Sequence, residues 1–142
     1  MLADDLAAVI QDGAAVNGGE QQPVQPAPER DGYEIRALVV ARTLRSGQKV
    51  VHPGSVVVIG DVNAGAQVVA GEDIIVLGAC RGVAHAGAYG NEAATITASR
   101  LVATQLRIAA LIARAPDDMD KPVYIETARI KDGTVIIEPA NR

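Results

Sequence analysis

The chain has 142 residues and a formal net charge of −4, and 49% of its residues are hydrophobic although it contains no Phe or Trp and only three Tyr. This length allows one domain with a true core and excludes two large ones. The acidic balance argues against non-specific nucleic-acid binding, which requires a concentrated basic surface. A core of Val, Ile, Leu and Ala suits a fold with a narrow cross-section.

Cysteine content and hydropathy indicate a soluble cytoplasmic protein. Cys80 is the single cysteine, which excludes an intramolecular disulfide or a cysteine-based metal cluster and fits a reducing compartment. The apolar stretch 101–114 is interrupted by Gln105 and Arg107, so we expect no membrane span. The N-terminus lacks the basic and apolar regions of a secretory signal.

Residues 1–32 have the composition of a linker. A short amphipathic helix is possible over residues 2–10, but it is too short to be stable alone. The following residues are rich in Gly, Pro and Gln, and they offer little apolar surface to bury. We therefore predict a disordered N-terminal linker followed by a folded domain over residues 33–142.

A repeat between Gly54 and Ala86 organises the folded part. Val56–Gly60 matches Ile74–Gly78, and we also pair Gly54 with Gly71 and Gly65 with Gly82. Each copy contains a β-branched run and then a glycine, so the chain runs straight and turns a corner. Stacked copies can enclose a shared apolar interior. The repeat predicts a parallel β-solenoid whose structural corner glycines are Gly54, Gly60, Gly65, Gly71 and Gly78.

The flanking segments continue the β-pattern. We expect strands near 37–40, 50–51 and 94–98, a corner at 52–54 and an enlarged corner at 85–92. Residues 101–114 have a helix-like composition, but apolar residues at even positions favour a strand. After a loop at 116–122, strands at 123–126 and 134–138 around a turn at 131–133 would close one end of the solenoid.

No catalytic, cofactor or metal site is predicted. Residues 60–65 are glycine-rich but lack the Lys and Ser/Thr of a phosphate-binding loop. His52, His85 and Cys80 show no ligand spacing or acidic partner, so we interpret them as two surface or corner histidines and a small buried cysteine. A repeat of 17 or 18 residues also differs from the six-residue repeat of solenoid acyltransferases.

Two arginines on glycine corners are the candidate binding residues. Arg45-Ser46-Gly47-Gln48 would place a guanidinium beside an amide on a tight turn, a combination suited to binding carboxylates or backbone groups. Arg81-Gly82 provides a second arginine. Both could simply be solvated. If neighbouring coils bring Arg45 and Arg81 to the same edge, they would form one basic docking patch.

The stretch from Arg42 to Glu92 resembles the C-terminal domain of MinC, the bacterial septum-site-determining family of division inhibitors. The match includes the 45–48 turn, the corner at 63–66 and Arg81-Gly82, and the resemblance extends over residues 34–140. It implies an all-β, right-handed, three-sided parallel β-helix that forms a homodimer through one face. It also implies that Arg45, Ser46, Gly47 and Gln48 bind the ATP-bound form of the membrane-associated ATPase MinD, with Arg81 and Gly82 extending the site.

The resemblance further implies how such a domain functions. It would be a non-enzymatic adaptor that MinD recruits to the inner face of the cell membrane, where it positions inhibition of the FtsZ division ring. The N-terminal FtsZ-inhibiting domain of the family is absent from this sequence, so we expect a truncated form. The alternative is a self-assembling solenoid scaffold similar to bactofilins, which the capping strands near the C-terminus disfavour.

Overall fold

The computed structural model describes residues 9–11, 36–115 and 124–140, and these residues form twelve β-strands and no helix. Short β-branched runs separated by glycine and polar corners account for the many short strands. The strands are β1 (Val9–Gln11), β2 (Leu38–Val40), β3 (Lys49–His52), β4 (Val56–Val58), β5 (Gln67–Ala70), β6 (Ile74–Cys80), β7 (Val83–Ala86), β8 (Ile96–Leu101), β9 (Gln105–Ile108), β10 (Leu111–Ala113), β11 (Glu126–Lys131) and β12 (Thr134–Pro139).

The strands build a three-sided coil. One sheet, which we call face 1, has the order β12-β11-β8-β6-β4-β2, and the second sheet, face 2, has the order β1-β3-β5-β7-β9-β10. Within each face, strands from successive coils pair in parallel. The third side consists of isolated parallel bridges from Leu44 to Val62 and from Val62 to Cys80. The predicted parallel β-solenoid is confirmed, with about four coils.

The core is the interior of this coil. Along β3, Val50 and His52 are buried while Lys49 and Val51 point outward, and the other strands of face 2 alternate in the same way. Leu44, Val62 and Cys80 fill the third side and have no exposed surface. Three inward-pointing sides leave little space at the centre, which explains why aliphatic and small side chains, rather than large aromatic ones, fill it.

The glycines serve two different purposes at the corners. Gly60 and Gly65 adopt positive φ angles of 151° and 88°, where side chains are disfavoured. Gly71 and Gly78 are required by close approach instead, because a Cβ atom on either would lie within 3 Å of the backbone of the preceding coil. Gly78 lies inside β6, beside a register irregularity between Val76 and Ala79, so it is a strand residue as well as a corner residue.

Two of the predicted glycine pairings are wrong by one residue. His52 pairs with Ala70, 18 residues later. Gly71 is therefore aligned with Pro53 of the preceding coil, and Glu72 is aligned with Gly54. The backbone N–H of Glu72 donates to the carbonyl oxygen of Gly54 (3.2 Å). Gly65 likewise stacks on Gly47 of the previous coil rather than matching Gly82. This second mispairing, of Gly65 with Gly82, arises because the corner at 81–82 is two residues shorter than the corners before it.

The segment 101–114 is β-structure, as predicted, but it is not one strand. Leu106 and Ile108 are buried and Arg107 points outward, so the alternation holds through β9. The chain then turns at Ala109, whose φ is +53°, and β10 pairs back antiparallel onto β9. The turn places Ile112 outside the core with 59% of its surface exposed, although its even position predicted burial.

The C-terminal hairpin covers the last coil of face 1, as predicted. β11 pairs antiparallel with β8, and β12 pairs antiparallel with β11. Asp132 and Gly133 both have positive φ, as a two-residue hairpin turn requires. β11 begins at Glu126, later than the sequence indicated, and the predicted loop at 116–122 lies outside the described residues.

Residues 9–11 form a strand where the sequence indicated the end of a possible helix. β1 pairs antiparallel with β3, with Ile10 opposite Val50. A short isolated helix gains little stability, whereas the otherwise open edge of β3 supplies backbone partners. Residues 2–8 of the possible helix, and residues 12–32 of the predicted linker, lie outside the described residues.

Candidate protein-docking corner

Three successive coils turn from the third side onto face 2 at the same place. These turns comprise residues 45–48, 63–66 and 81–82, and we call them together the arginine corner. Because Leu44, Val62 and Cys80 are bridged in register, the residues that follow them (Arg45, Asn63 and Arg81) stack along one edge. Two strand steps separate Arg45 from Arg81, about 10 Å along the coil axis. The two arginines therefore share an edge, which was the condition for a common basic patch.

Arg45–Gln48 is a tight turn. The backbone N–H of Gln48 donates to the carbonyl oxygen of Arg45 (2.9 Å), and Gly47 at the third position has φ = +89°. A type II turn requires this positive φ, which glycine adopts without steric cost. The next coil repeats the arrangement. The N–H of Ala66 donates to the carbonyl oxygen of Asn63 (2.9 Å), and Gly65 has positive φ at the third position of this turn.

The two turns are nested. The N–H of Gly47 donates to the carbonyl oxygen of Gly65 (2.9 Å), and the N–H of Gln67 donates to the carbonyl oxygen of Gln48 (3.0 Å). A Cβ atom at Gly65 would lie 2.9 Å from the Cβ atom of Ser46. Position 65 must therefore be glycine if the Arg45 turn is to pack against the Asn63 turn. Backbone bonds on both sides therefore hold the Arg45 turn in one conformation.

The Gln48 side chain is part of the turn itself. Its Oε1 accepts a hydrogen bond from the backbone N–H of Arg45 (2.8 Å) and a long one from Nη1 of Arg42 (3.4 Å). The sequence suggested that this amide would contact a partner beside Arg45. In the structure its carbonyl oxygen is used inside the loop, while Arg45 and Ser46 are exposed.

Arg81 extends from a backbone that is fixed from two directions. Its N–H donates to the carbonyl oxygen of Val62 (2.7 Å), and the Thr104 hydroxyl donates to the carbonyl oxygens of Arg81 (3.2 Å) and Gly82 (3.1 Å). Gly82 is buried, and a Cβ atom there would lie 2.6 Å from the carbonyl oxygen of Asn63. The exposed Arg81 side chain thus starts from a rigid position.

The surroundings of the arginine corner are cationic. Arg42 and Lys49 flank the first turn in sequence, and Arg100 pairs in register with Ala79 on the neighbouring coil. The nearby acidic residue Asp61 uses Oδ1 to accept a hydrogen bond from the N–H of Ala79 (2.8 Å). The described residues carry ten cationic and seven anionic side chains, so the coil is positive although the whole chain is negative. A positive edge favours an acidic partner surface.

Sequence reasoning did not name Asn63 as a site residue, and it missed the contact from Arg42 to Gln48. Asn63 lies between Arg45 and Arg81, and the 18-residue spacing from Arg45 to Asn63 and from Asn63 to Arg81 could have revealed it. The contact from Arg42 to Gln48 has no comparable pattern, because it depends on how the turn folds back.

Face 1 carries a second notable surface, which we call the apolar face. Large hydrophobic side chains point outward from its first three coils and the adjoining corner, and much of their surface is exposed: Val39 57%, Ile59 49%, Ile75 37% and Leu77 54%. Toward the C-terminal end the surface becomes polar, where the hydroxyls of Thr97 and Thr127 hydrogen-bond to each other (2.9 Å). A contiguous exposed apolar surface on a folded domain marks an interaction site.

The two histidines and the cysteine lie in separate places. His52 is 4% exposed and its Nε2–H donates to the carbonyl oxygen of Arg36 (2.9 Å), so its prediction as a surface or corner residue is wrong. It points inward because it has the same parity as Val50 on β3. His85 points outward on β7 and donates to the carbonyl oxygen of Ala109 (3.0 Å). Cys80 is buried on the third side, and burial raises the pKa of its thiol to about 12, partly offset by a backbone hydrogen bond from Gly82.

Two further properties bear on function. Across residues 9–11, 36–115 and 124–140, no three His, Cys, Asp or Glu side chains come together in a way that could hold a metal ion. The same residues contain no helix with the length and hydrophobicity needed to cross a bilayer.

A rigid arginine-bearing corner and a separate apolar face, both carried on a β-solenoid, define a protein-docking domain. The chain belongs to the family described as septum formation inhibitor MinC, C-terminal domain, whose model matches residues 38–140.

Relatives and a solved structure agree with this assignment. The chain is 52% identical over 137 residues to a probable septum site-determining protein MinC of Heliobacterium modesticaldum, covering 96% of this chain and 47% of that protein. It is 50% identical over 107 residues to the corresponding protein of Clostridium novyi, covering 75% of this chain and 51% of the relative. The chain therefore spans about half the length of these relatives.

The fold also matches a chain of the MinC:MinD cell division protein complex of Aquifex aeolicus. The TM-score is 0.69 and the sequence identity 38%, and the match covers 75% of this chain and 88% of that chain.

Proposed function

We propose that this domain is a non-enzymatic adaptor in cell-division inhibition and that it binds MinD through the arginine corner. The observation that carries the proposal is that nested turns fix Arg45 while the bridged coils stack the separately held Arg81 on the same edge. The similarity to a chain of the Aquifex complex supports MinD as the partner.

The corner would recognise MinD by fixed hydrogen-bond donors. A guanidinium can bind a carboxylate or two carbonyl oxygens with parallel N–H donors. Because the Arg45 turn is held by backbone bonds, little conformational entropy would be lost on binding. Ser46, Gly47 and Gln48 would shape the turn, and Arg81, whose backbone is held close to the preceding coil by the buried Gly82, would extend the contact to the third coil.

MinD would contribute the nucleotide chemistry and the membrane attachment. In this proposal the ATP-bound form recruits the domain from the cytoplasm to the inner face of the membrane. There the domain would position inhibition of the FtsZ ring, directly or through another part of the full protein. Its own role would be positional, without a cofactor or a catalytic residue.

Homodimerisation through the apolar face is the second part of the proposal. Burying Val39, Ile75 and Leu77 against a second copy would remove their exposed apolar surface from water. A dimer would present two arginine corners, so binding to a MinD-covered membrane would gain from the high effective concentration of the second site.

A self-assembling scaffold is the less favoured alternative. End-to-end growth requires open strand edges at both ends of the coil. Here β10 and the β11–β12 hairpin add antiparallel strands at the last coil, and β1 covers β3 at the first.

Substitution of Arg45 tests the docking site. We expect Arg45→Ala to abolish co-sedimentation with MinD on vesicles in ATP while the melting temperature stays nearly unchanged, because the side chain is exposed. Arg45→Ala is a cleaner test than Gly47→Asp, since Gly47 has positive φ and its replacement would also strain the turn.

Arg114→Ala is the matched control, because Arg114 is also an exposed arginine but follows β10 at the other end of the coil stack. It should bind like the unmodified protein, and neither protein should be recruited in ADP. Full binding by Arg45→Ala would reject the arginine corner as the docking site.

A further inference from the structure

The turns of the arginine corner differ in how the carbonyl oxygen of the first residue is bonded. In the first turn the oxygen of Arg45 accepts a hydrogen bond from the N–H of Gln48 (2.9 Å), and in the second the oxygen of Asn63 accepts one from the N–H of Ala66 (2.9 Å). Each bond joins the first and fourth residues of a tight turn. The first two turns therefore close within their own coil.

The third corner is too short to close in this way. Arg81 and Gly82 alone separate β6 from β7, and the residue three positions after Arg81 is Ala84, which already pairs with Val68 in face 2. Backbone carbonyl oxygens in a packed fold need a donor. A protein donor for the Arg81 carbonyl oxygen therefore has to come from another coil.

Thr104, on the fourth coil, supplies that donor. Its hydroxyl oxygen lies 3.2 Å from the carbonyl oxygen of Arg81 and 3.1 Å from that of Gly82, and its backbone nitrogen lies 3.3 Å and 3.1 Å from the same two oxygens. Two donors thus face two acceptors. Thr104 directly precedes β9, whose parallel pairing with β7 fixes the position of Thr104 in the stack.

These bonds act on the peptide plane that joins Arg81 to Gly82. On one side of this plane the N–H of Gly82 donates to the carbonyl oxygen of Val62 on the second coil (3.1 Å), and on the other side the carbonyl oxygen of Arg81 accepts from Thr104 on the fourth. A peptide plane beside a glycine rotates with little steric resistance, because glycine tolerates most backbone conformations. Thr104 therefore opposes a rotation that would change the direction of the Arg81 side chain.

We infer that Thr104 is a positioning residue for docking, which holds Arg81 in the orientation in which the arginine corner binds MinD. This inference rests on the proposed function, because it concerns the same site. Arg45 is independent of Thr104, since its own turn is closed by backbone bonds. The fourth coil thus contributes to the docking edge, although its residue in line with Arg81 is Val102.

Removal of the hydroxyl alone tests the inference. Thr104→Val keeps the branched shape and the backbone N–H, whereas Thr104→Ser keeps the hydroxyl. We expect Thr104→Val to bind MinD in ATP about threefold more weakly than the unmodified protein, in line with the net contribution of one hydrogen bond. Thr104→Ser should bind like the unmodified protein.

Thr95→Val is the matched control for losing a threonine hydroxyl. The Thr95 hydroxyl donates to Oδ1 of Asp73 (3.3 Å) in the corner between β7 and β8, where the strands of face 2 end. The arginine corner lies where those strands begin. Thr95→Val should therefore leave MinD binding unchanged.

A double-mutant cycle shows whether Thr104 acts through Arg81. Arg81→Ala should weaken MinD binding more than Thr104→Val does, and adding Thr104→Val to Arg81→Ala should cause no further loss. A direct contact between Thr104 and MinD would instead make the two losses independent, so that the double variant binds more weakly than Arg81→Ala alone.

Hydrogen exchange measures the positioning in the absence of MinD. The Gly82 amide should exchange about threefold faster in Thr104→Val than in Thr104→Ser, because it belongs to the peptide plane that has lost a restraint. The Gln48 amide, which closes the first turn, should exchange equally in both variants.

The outcomes separate the inference from the proposed function. Unchanged MinD binding by Thr104→Val, or a further loss when it is added to Arg81→Ala, overturns the inference and leaves MinD as the partner. An Arg81→Ala protein that binds like the unmodified one also overturns it, as does equal exchange of the Gly82 amide in the two Thr104 variants. If the unmodified protein does not bind MinD in ATP, the proposed function fails and the inference fails with it.

Discussion

Gly65 determines the geometry of the arginine corner at the scale of single residues. It combines a positive φ of 88° with a position directly beneath Ser46 of the turn above. Gly90, in the enlarged corner, also has positive φ (104°), but a Cβ atom there would meet nothing within 4 Å. Gly90 is therefore required by its backbone conformation alone, whereas Gly65 is required both by its conformation and by the close packing of Ser46.

We expect Gly65→Ala to lower the free energy of unfolding by about 1–3 kcal/mol more than Gly90→Ala does. Both substitutions strain the backbone, but only the first pushes on the Arg45 turn, so it should also weaken MinD binding. Urea unfolding measures the first effect and vesicle co-sedimentation the second. Equal losses of stability in the two variants would show that the turns are not tightly nested.

The 45–48 turn also shows what sequence reveals at this scale. The Gly in Arg45–Gln48 predicted a tight turn, and the structure has one. The role of Gln48 was not predictable, because its side chain has partners both in its own turn and outside, and only the folded loop selects between them. His52 was misassigned because a histidine next to a Pro-Gly corner is usually exposed, whereas its strand parity directs it inward.

At the scale of the elements, strand alternation separates core residues from exposed residues of the apolar face. Ile74 and Ile75 are neighbours on β6, and Ile74 is fully buried while Ile75 belongs to the apolar face. Their side chains therefore report on different events, folding for Ile74 and the proposed dimerisation for Ile75.

We expect Ile74→Ala to lower the free energy of unfolding by about 2–5 kcal/mol, because it leaves a cavity in the core. Ile75→Asp should leave the folded monomer intact but shift sedimentation from dimer to monomer, because it puts a charge in the apolar contact. Circular dichroism controls for folding in both. A dimeric Ile75→Asp protein would place the dimer interface elsewhere.

The segment 101–114 shows the limit of periodicity. Alternation distinguished strand from helix, and the buried Leu106 and Ile108 agree with it. It could not show that the chain reverses at Ala109, because alanine carries no turn preference and its positive φ is imposed by the pairing of β10 with β9. The turn before β12, with Asp132-Gly133, was predictable because those residues favour positive φ.

For the whole molecule, the buried thiol of Cys80 links folding to pH. Burial disfavours the thiolate and raises the pKa of Cys80 in the folded chain from its ordinary value of 9.0 to about 12. The unfolded chain therefore loses this proton first. The stabilisation is fully present below pH 9 and is lost as pH rises toward 12.

Between pH 8 and pH 10, we expect the free energy of unfolding of the unmodified protein to fall by about 1 kcal/mol more than that of the Cys80→Ala variant. Using the difference between the two proteins cancels the titration of tyrosines and lysines. Urea unfolding at both pH values measures it. Parallel pH profiles would mean that the Cys80 thiol ionises equally well in the folded chain.

The sequence by itself determined the class of fold, the position of most corners and the residues of the turn that we propose as the docking site. It could do so because these features depend on local chemistry: β-branched runs favour strands, glycines allow turns, and an 18-residue repeat aligns equivalent residues on successive coils. Only the tertiary structure decided that Arg45, Asn63 and Arg81 share one edge, that face 1 exposes an apolar surface, and that β1 lies against β3. Those features depend on register between coils and on backbone groups far apart in the chain, where a shift of one residue changes which side chain points outward.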